Sequence, residues 1–221
     1  MRVRDESHPT YRLEINKLVI QAHIPFGEGP HPVFVLLHGW TGDENSMSIF
    51  ASRLPANVIL LFPRGLYNSP MGGFSWYPKL DKAWPVLNDF ETAIAALAGV
   101  LSIDHFADGD FSQLSMVGFS QGAALVYCFA MKRAKRLRAF AGLSGFVPEG
   151  AAYLAEEHPL EGLPGFIAHG TRDQLVPIER ARQGVKILQQ AGATVSYCEH
   201  EAGHKLNTDC FRSLQNFFQQ N

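Results

Sequence analysis

Three residues far apart in the chain have the types needed to activate an alcohol: Ser120, Asp173 and His204. A free serine hydroxyl is a poor nucleophile at neutral pH. It needs a base to take its proton during attack, and a carboxylate to hold that base in one tautomer and stabilise the cation that forms. Ser120 has the most informative surroundings. The stretch Leu114-Ser115-Met116-Val117-Gly118-Phe119-Ser120-Gln121-Gly122-Ala123-Ala124-Leu125 passes from an apolar strand pattern, through Gly-x-Ser-x-Gly, into an apolar helix pattern. A strand that reverses directly into a helix leaves no room for side chains beside the turn, so Gly118 and Gly122 have a steric reason to flank a strained serine. The turn also lifts the hydroxyl above the sheet edge and sets it at a helix N-terminus, where free N–H groups and the helix dipole favour developing negative charge. Gln121 supplies one such N–H. A chance Gly-x-Ser-x-Gly in a surface loop would lack this context.

The elements that must position these residues follow from periodicity. Tyr11 to Ile24 alternates apolar positions, as a hairpin or edge strand does. Val33-Phe34-Val35-Leu36-Leu37 and Val58-Ile59-Leu60-Leu61-Phe62 are continuous apolar runs, the pattern of strands buried on both faces. Between them Glu44 to Leu54 can form a short helix. A Gly/Pro/aromatic loop runs from Arg64 to Pro85. Phe90, Ile94, Leu97 and Leu101 then recur at helical spacing. Beyond the serine, Arg138 to Leu143 and Phe166-Ile167-Ala168 are strands, Ile178, Ala181, Val185 and Leu188 line a helix, Thr194 to Cys198 alternates, and Leu206, Cys210, Leu214 and Phe217 line a closing helix. Alternation of apolar strands with helices predicts an α/β fold with a mostly parallel central sheet and helices on both faces. Sites in such sheets gather at the carboxyl ends of the strands.

Polar residues follow the strands in that position: His38-Gly39-Trp40, Pro63-Arg64-Gly65, Ser120, Ser144-Gly145, His169-Gly170-Thr171-Arg172-Asp173 and Ala202-Gly203-His204. Asp173 alone could be a turn residue or a cap before the helix at Ile178, and His204 alone a loop-fixing residue. Together with Ser120, in the order Ser, Asp, His and each after a strand, they form a catalytic set. His38 and His169 fit loop-fixing roles. Asp43 and Glu44 are too few for a calcium loop and fit helix capping. A competing pattern, His200-Glu201-Ala202-Gly203-His204, matches His-Glu-x-x-His, which binds zinc only from a helix that puts both rings on one face. Here it follows a strand and contains Gly203, which disfavours a helix interior. No metal or cofactor is expected.

At 221 residues the chain fits one domain, spanning 1–221 with residues 1–9 as a tail, and 46% hydrophobic residues suffice for a large core. A net charge of −2 offers nothing to attract nucleic acid or an anionic membrane. The basic cluster Lys132, Arg133, Lys135, Arg136 and Arg138 falls at the end of the helix after Ser120, where cations are favourable. Cys128, Cys198 and Cys210 are odd in number and widely spaced, so free thiols in a reducing, cytoplasmic setting are expected. No signal peptide or run long enough to cross a membrane is recognisable. Homodimer formation is left open.

Taken with Gly72-Gly73-Phe74-Ser75-Trp76-Tyr77, the motifs around Leu37-His38-Gly39-Trp40, Pro63-Arg64-Gly65, Ser120, Asp173 and Gly203-His204 resemble the phospholipase/carboxylesterase family of α/β-hydrolases, which also contains acyl-protein thioesterases. The resemblance runs from about Val33 to His204. It implies the α/β-hydrolase fold, a Ser120-Asp173-His204 triad, and an oxyanion hole from the backbone N–H groups of Trp40 and Gln121. It further implies a serine carboxylesterase acting on small or medium acyl esters, with a thioesterase or lysophospholipase as the near alternative and a silent small-molecule binder as the distant one. The partner is then a small-molecule ester or thioester. Phe74, Trp76, Tyr77, Phe146 and Leu175 are candidate pocket walls, each of which could equally be core or loop packing. Two positions depart from the family pattern. Gln174 stands where many relatives have proline, and Trp40, where a smaller apolar residue is common, would narrow the pocket.

Overall fold

The computed structural model describes residues 9–78 and 84–221. Residues 1–8, most of the expected tail, and 79–83 in the loop before Pro85 lie outside the described residues. β1 (Thr10–Ile15) and β2 (Leu18–His23) form an antiparallel hairpin. Its turn residues Asn16 and Lys17 both take positive φ, as a two-residue hairpin turn requires. Then come β3 (His31–Leu37), β4 (Ile59–Pro63), β5 (Tyr67–Asn68), β6 (Phe74–Ser75), α1 (Glu91–Val100), β7 (Gly109–Phe119), α2 (Gln121–Arg133), β8 (Ala139–Leu143), α3 (Ala151–Ala155), β9 (Pro164–Gly170), α4 (Ile178–Gln190), β10 (Thr194–His200) and α5 (Thr208–Gln220).

Eight strands make one sheet in the order β1-β2-β4-β3-β7-β8-β9-β10. Within this sheet every pair from β4 to β10 is parallel and β1-β2 and β2-β4 are antiparallel, while β5 and β6 form a separate antiparallel pair. The continuous apolar runs resolve into two cores by strand alternation. Val33, Val35, Leu37, Ile59, Leu61, Leu114 and Met116 pack beneath α1, α2 and α4. Phe34, Leu36, Leu60, Phe62 and Val117 pack on the other face, against Leu214, Phe217 and Phe218 of α5. Both faces are therefore buried, which is why these strands carry apolar residues at consecutive positions. With α1, α2 and α4 on one face and α5 on the other, this is the α/β-hydrolase arrangement.

Two local expectations change. Glu44 to Leu54 contributes only a 3-10 turn over Ser48–Arg53. Glu44 does not cap it: its buried carboxylate accepts from Arg64 Nε at 2.6 Å and Arg12 Nε at 3.2 Å, while Asp43 accepts from the Asn45 N–H and the Ser46 hydroxyl. The basic cluster is partly structural clasping. Arg136 donates to the carbonyls of Ala98 and Leu101 at the end of α1, and Lys132 pairs with Glu91. A guanidinium on the last carbonyls of a helix satisfies groups the helix itself leaves open.

Candidate active site

Because β3, β7, β9 and β10 run parallel, the residues that follow them emerge at one edge of the sheet. Ser120 joins β7 to α2 with φ 53° and ψ −115°. Such a backbone costs on the order of 1–3 kcal/mol and persists only where neighbours enforce it. Here the Ser120 N–H donates to the Leu143 carbonyl at 2.8 Å, and its own carbonyl accepts from Ala124 N–H at 3.2 Å. The flanking glycines have the expected cause. A Cβ on Gly118 would lie 2.3 Å from the Gly122 carbonyl oxygen, and one on Gly122 would lie 2.2 Å from that of Leu37.

Asp173 and His204 are in contact. His204 Nδ1 and Asp173 Oδ2 are 2.7 Å apart, with the carboxylate fully buried and the imidazole slightly exposed. The other Asp173 oxygen accepts the N–H groups of Leu175 and Val176, each at 2.9 Å. With Nδ1 donating to that carboxylate, the neutral His204 ring has its lone pair on Nε2. The two loops are laced together, Thr171 N–H donating to the His200 carbonyl and Arg172 N–H to that of Ala202. The His204 ring packs 5.0 Å from the ring of Phe119, the residue preceding Ser120.

His38 and His169 fix loops. His38 Nε2 accepts from the Gly65 N–H at 2.8 Å, so its Nδ1 holds the proton and donates to the Gly39 carbonyl at 2.6 Å. His169 Nε2 donates to the Val176 carbonyl at 2.8 Å and stands 3.5 Å from Asp173 Oδ2. Burial pushes both imidazoles below the ordinary histidine range, because it penalises the charged form more than their neighbours favour it.

Around Trp40, the Thr41 N–H donates to Phe74 and the Gly42 N–H to Gly39. Among the described residues no backbone acceptor takes the Trp40 N–H between them. The Gln121 N–H opens α2, where no carbonyl within the helix can accept it. The Gln121 side chain does something sequence reasoning missed. Its Oε1 accepts from Trp76 N–H at 2.9 Å and its Nε2 donates to Ser75 Oγ at 3.0 Å, fastening β6 to the start of α2. A buried amide beside a nucleophile motif was the available signal, but its partners lie some 45 positions away in sequence.

A cavity of about 450 Å³ opens beside these groups, lined by Trp40, Met47, Ile49, Phe50 and Phe119 on one side and Lys205, Leu206 and Phe211 on the other. None of the five expected wall residues lines it. Trp76 is fully buried, its indole N–H donating to the His38 carbonyl at 2.8 Å. Tyr77 packs edge-on to Phe90, Phe146 edge-on to Trp84, and Phe74 lies under the Arg64 guanidinium. Leu175 is largely exposed. The cavity is instead made where the segment after β3 meets the start of α5, two stretches more than 150 residues apart in sequence.

The His-Glu-x-x-His spacing falls on the end of β10 and the loop after it, not on a helix. His200 Nε2 donates to the Lys205 carbonyl at 2.7 Å, and its Nδ1 faces Cys210 Sγ at 3.3 Å. The expectation of three free thiols is corrected. Cys198 and Cys210 form a disulfide because the fold lays α5 against β10, an adjacency their 12-residue separation does not announce. Only Cys128 is free, and burial drives its thiol far above the ordinary range. The thiol argument for a reducing compartment therefore loses two of its three residues. Among the described residues no helix is long and apolar enough to cross a membrane.

Comparison with known proteins agrees with this fold. The phospholipase/carboxylesterase family model matches residues 21–221, and the chain belongs to that family. Carboxylesterase SOBER1 of Arabidopsis thaliana is 28% identical over 209 residues, which cover 85% of this chain and 90% of that protein. Among solved structures, a carboxylesterase from Mesorhizobium loti superposes with a TM-score of 0.80 at 20% identity, covering 98% of this chain and all of that one. The Bacillus cereus carboxylesterase does so with a TM-score of 0.78 at 22% identity, covering 92% and 93%. At these identities the structural likeness speaks for the fold. Family membership makes the protein an enzyme, a serine hydrolase of carboxylic esters.

Proposed function

We propose that the protein is a serine carboxylesterase working on small or medium acyl esters through Ser120, His204 and Asp173. The observation that carries this reading is the Asp173–His204 pair at 2.7 Å, with the His204 ring packed on Phe119, the residue before a serine held in a strained elbow. In the first step Ser120 Oγ attacks the ester carbonyl carbon while His204 Nε2 takes the hydroxyl proton. Asp173 stabilises the resulting imidazolium. The carbonyl oxygen becomes an oxyanion between the N–H groups of Trp40 and Gln121, where losing one such donor costs ~3 kcal/mol of transition-state stabilisation. Collapse of the intermediate expels the alcohol, which takes its proton from His204. Water then attacks the acyl-enzyme with His204 again as base, releasing the acid and restoring Ser120.

The cavity beside Trp40 and Phe119 is the acyl pocket in this reading. Its walls are mostly apolar, and each methylene buried there contributes ~0.8 kcal/mol. The test is steady-state hydrolysis of p-nitrophenyl esters and matching thioesters of graded chain length. The wild type is expected to turn over short and medium esters, and Ser120→Ala to lose about 10⁴-fold or more in kcat. Retained hydrolysis in Ser120→Ala would remove Ser120 from the mechanism.

A further inference from the structure

Beneath the His204 loop lies a covalent bond that the ester chemistry does not use. Cys198 sits in β10 and Cys210 in the first turn of α5, with their Cα atoms 5.8 Å apart. His204 is midway between them in sequence, six residues from each. We propose that the Cys198–Cys210 cystine is a thiol-exchange site that sets how tightly the His204 loop is held against Asp173, so that its reduction lowers hydrolysis without unfolding the chain. The effect on rate rests on the reading of His204 as the base.

The cystine closes the loop that carries His204, and such a cross-link removes chain freedom that grows with the logarithm of the loop length. The anchors that remain after reduction are non-covalent. They include the His204–Asp173 contact, the His204 ring on Phe119, the Thr171 and Arg172 N–H groups on the His200 and Ala202 carbonyls, the Arg172–Glu201 pair, Leu206 packed against the core, the His200 clasp on the Lys205 carbonyl, and Asn207 Oδ1 capping α5 through the Cys210 N–H at 2.9 Å. α5 itself stays in place by its packing, since Leu214, Phe217 and Phe218 are buried against the sheet. Loosening is thus confined to the segment between β10 and α5.

The two cysteines differ in exposure. Cys198 lines a surface cleft of about 340 Å³ with Ser196, Ser213, Asn216 and Gln220, whereas Cys210 is fully buried. This cleft shares no lining residue with the cavity beside Trp40, so exchange at Cys198 would not compete with an occupied acyl pocket. A thiolate from a small dithiol attacks Cys198 Sγ. The S–S bond breaks, and its electron pair goes to Cys210 Sγ, which takes up a proton. The dithiol's second sulfur then attacks the mixed disulfide and releases Cys198, which is also protonated. One dithiol is oxidised, and the cystine gains two electrons and two protons. The buried product has a partner waiting, because His200 Nδ1 lies 3.3 Å from Cys210 Sγ and carries a lone pair while its Nε2 proton is engaged with Lys205. The new Cys210 S–H donates to it.

The experiment treats the whole chain with dithiothreitol, verifies reduction by alkylation and peptide mass at Cys198 and Cys210, and measures amide exchange over residues 201–207 together with p-nitrophenyl ester hydrolysis. Reduction is expected to speed exchange in 201–207 by about tenfold while α2 and β7 keep their protection. It should lower kcat by roughly three- to tenfold with KM held, because a looser base misplaces the proton acceptor rather than the pocket. Reoxidation should restore both. The Cys198→Ser/Cys210→Ser double variant should match the reduced enzyme and ignore dithiothreitol. Unchanged exchange in 201–207 after verified reduction overturns the proposal, as does an unchanged kcat in a chain that hydrolyses esters. Faster exchange in a chain that hydrolyses none supports the tether and removes instead the reading of the site.

Discussion

Asp173 is placed to serve both the fold and the proposed chemistry. One oxygen holds the backbone of Leu175 and Val176, and the other holds His204. The division yields a specific expectation for Asp173→Asn. The amide keeps a carbonyl for the two N–H groups, so the variant should fold, with circular dichroism and melting close to wild type. It cannot stabilise an imidazolium as a carboxylate does, and kcat should fall by ~10⁴. Near-full activity in a folded Asp173→Asn would exclude it from the triad. At this scale the sequence located the strained turn at Ser120 from its motif and placed Asp173 and His204 after strands, where the structure brings those two into contact. It misplaced Glu44 as a helix cap, because its buried ion pair is with Arg64, 20 residues away.

At the scale of elements, the site depends on how closely β7, α2 and β3 approach one another. Gly122 is where that approach is tightest, its α-hydrogen pointing at the carbonyls of Leu37 and His38. A methyl group there meets backbone, not the end of a flexible side chain, so the strands cannot give way locally. Gly122→Ala is expected to destabilise the fold by at least the ~1–3 kcal/mol of an overpacked core, and to displace Ser120 enough to abolish hydrolysis. Wild-type denaturant midpoint and activity in Gly122→Ala would contradict the close packing described for the elbow. Here the sequence was most legible. Runs such as Val33 to Leu37 are long, unbroken and bounded by Pro and Gly, so strands and helices could be placed with little ambiguity. The pocket walls were not legible, because aromatic residues near the motifs serve as packing. Trp76 is locked to His38 and Gln121, whereas the residues that line the cavity, Phe50 and Phe211 among them, meet only through the fold.

For the molecule as a whole, the buried histidines tie stability to pH. His38 and His169 are held below the ordinary histidine value in the fold by burial, whereas unfolded histidine titrates near ~6.5. As pH falls through that value the unfolded chain takes up protons that the folded chain refuses, so stability is fully present above it and declines towards the folded-state values. The urea midpoint should therefore drop between about pH 7.5 and about pH 5.5. A midpoint that holds or rises would mean these imidazoles are not kept neutral by the fold. The disulfide was the main whole-molecule feature hidden from the sequence. Counting cysteines suggested free thiols, and only the docking of α5 against β10 reveals the pair.

The central claim is that Ser120 is made nucleophilic by the groups around it. Incubation with a fluorophosphonate probe, followed by peptide mapping, tests this without knowledge of the natural ester. A single adduct on Ser120 is predicted, absent in Ser120→Ala and formed far more slowly in Asp173→Asn. A folded wild-type chain that takes no label, or takes it on another serine, would contradict the account.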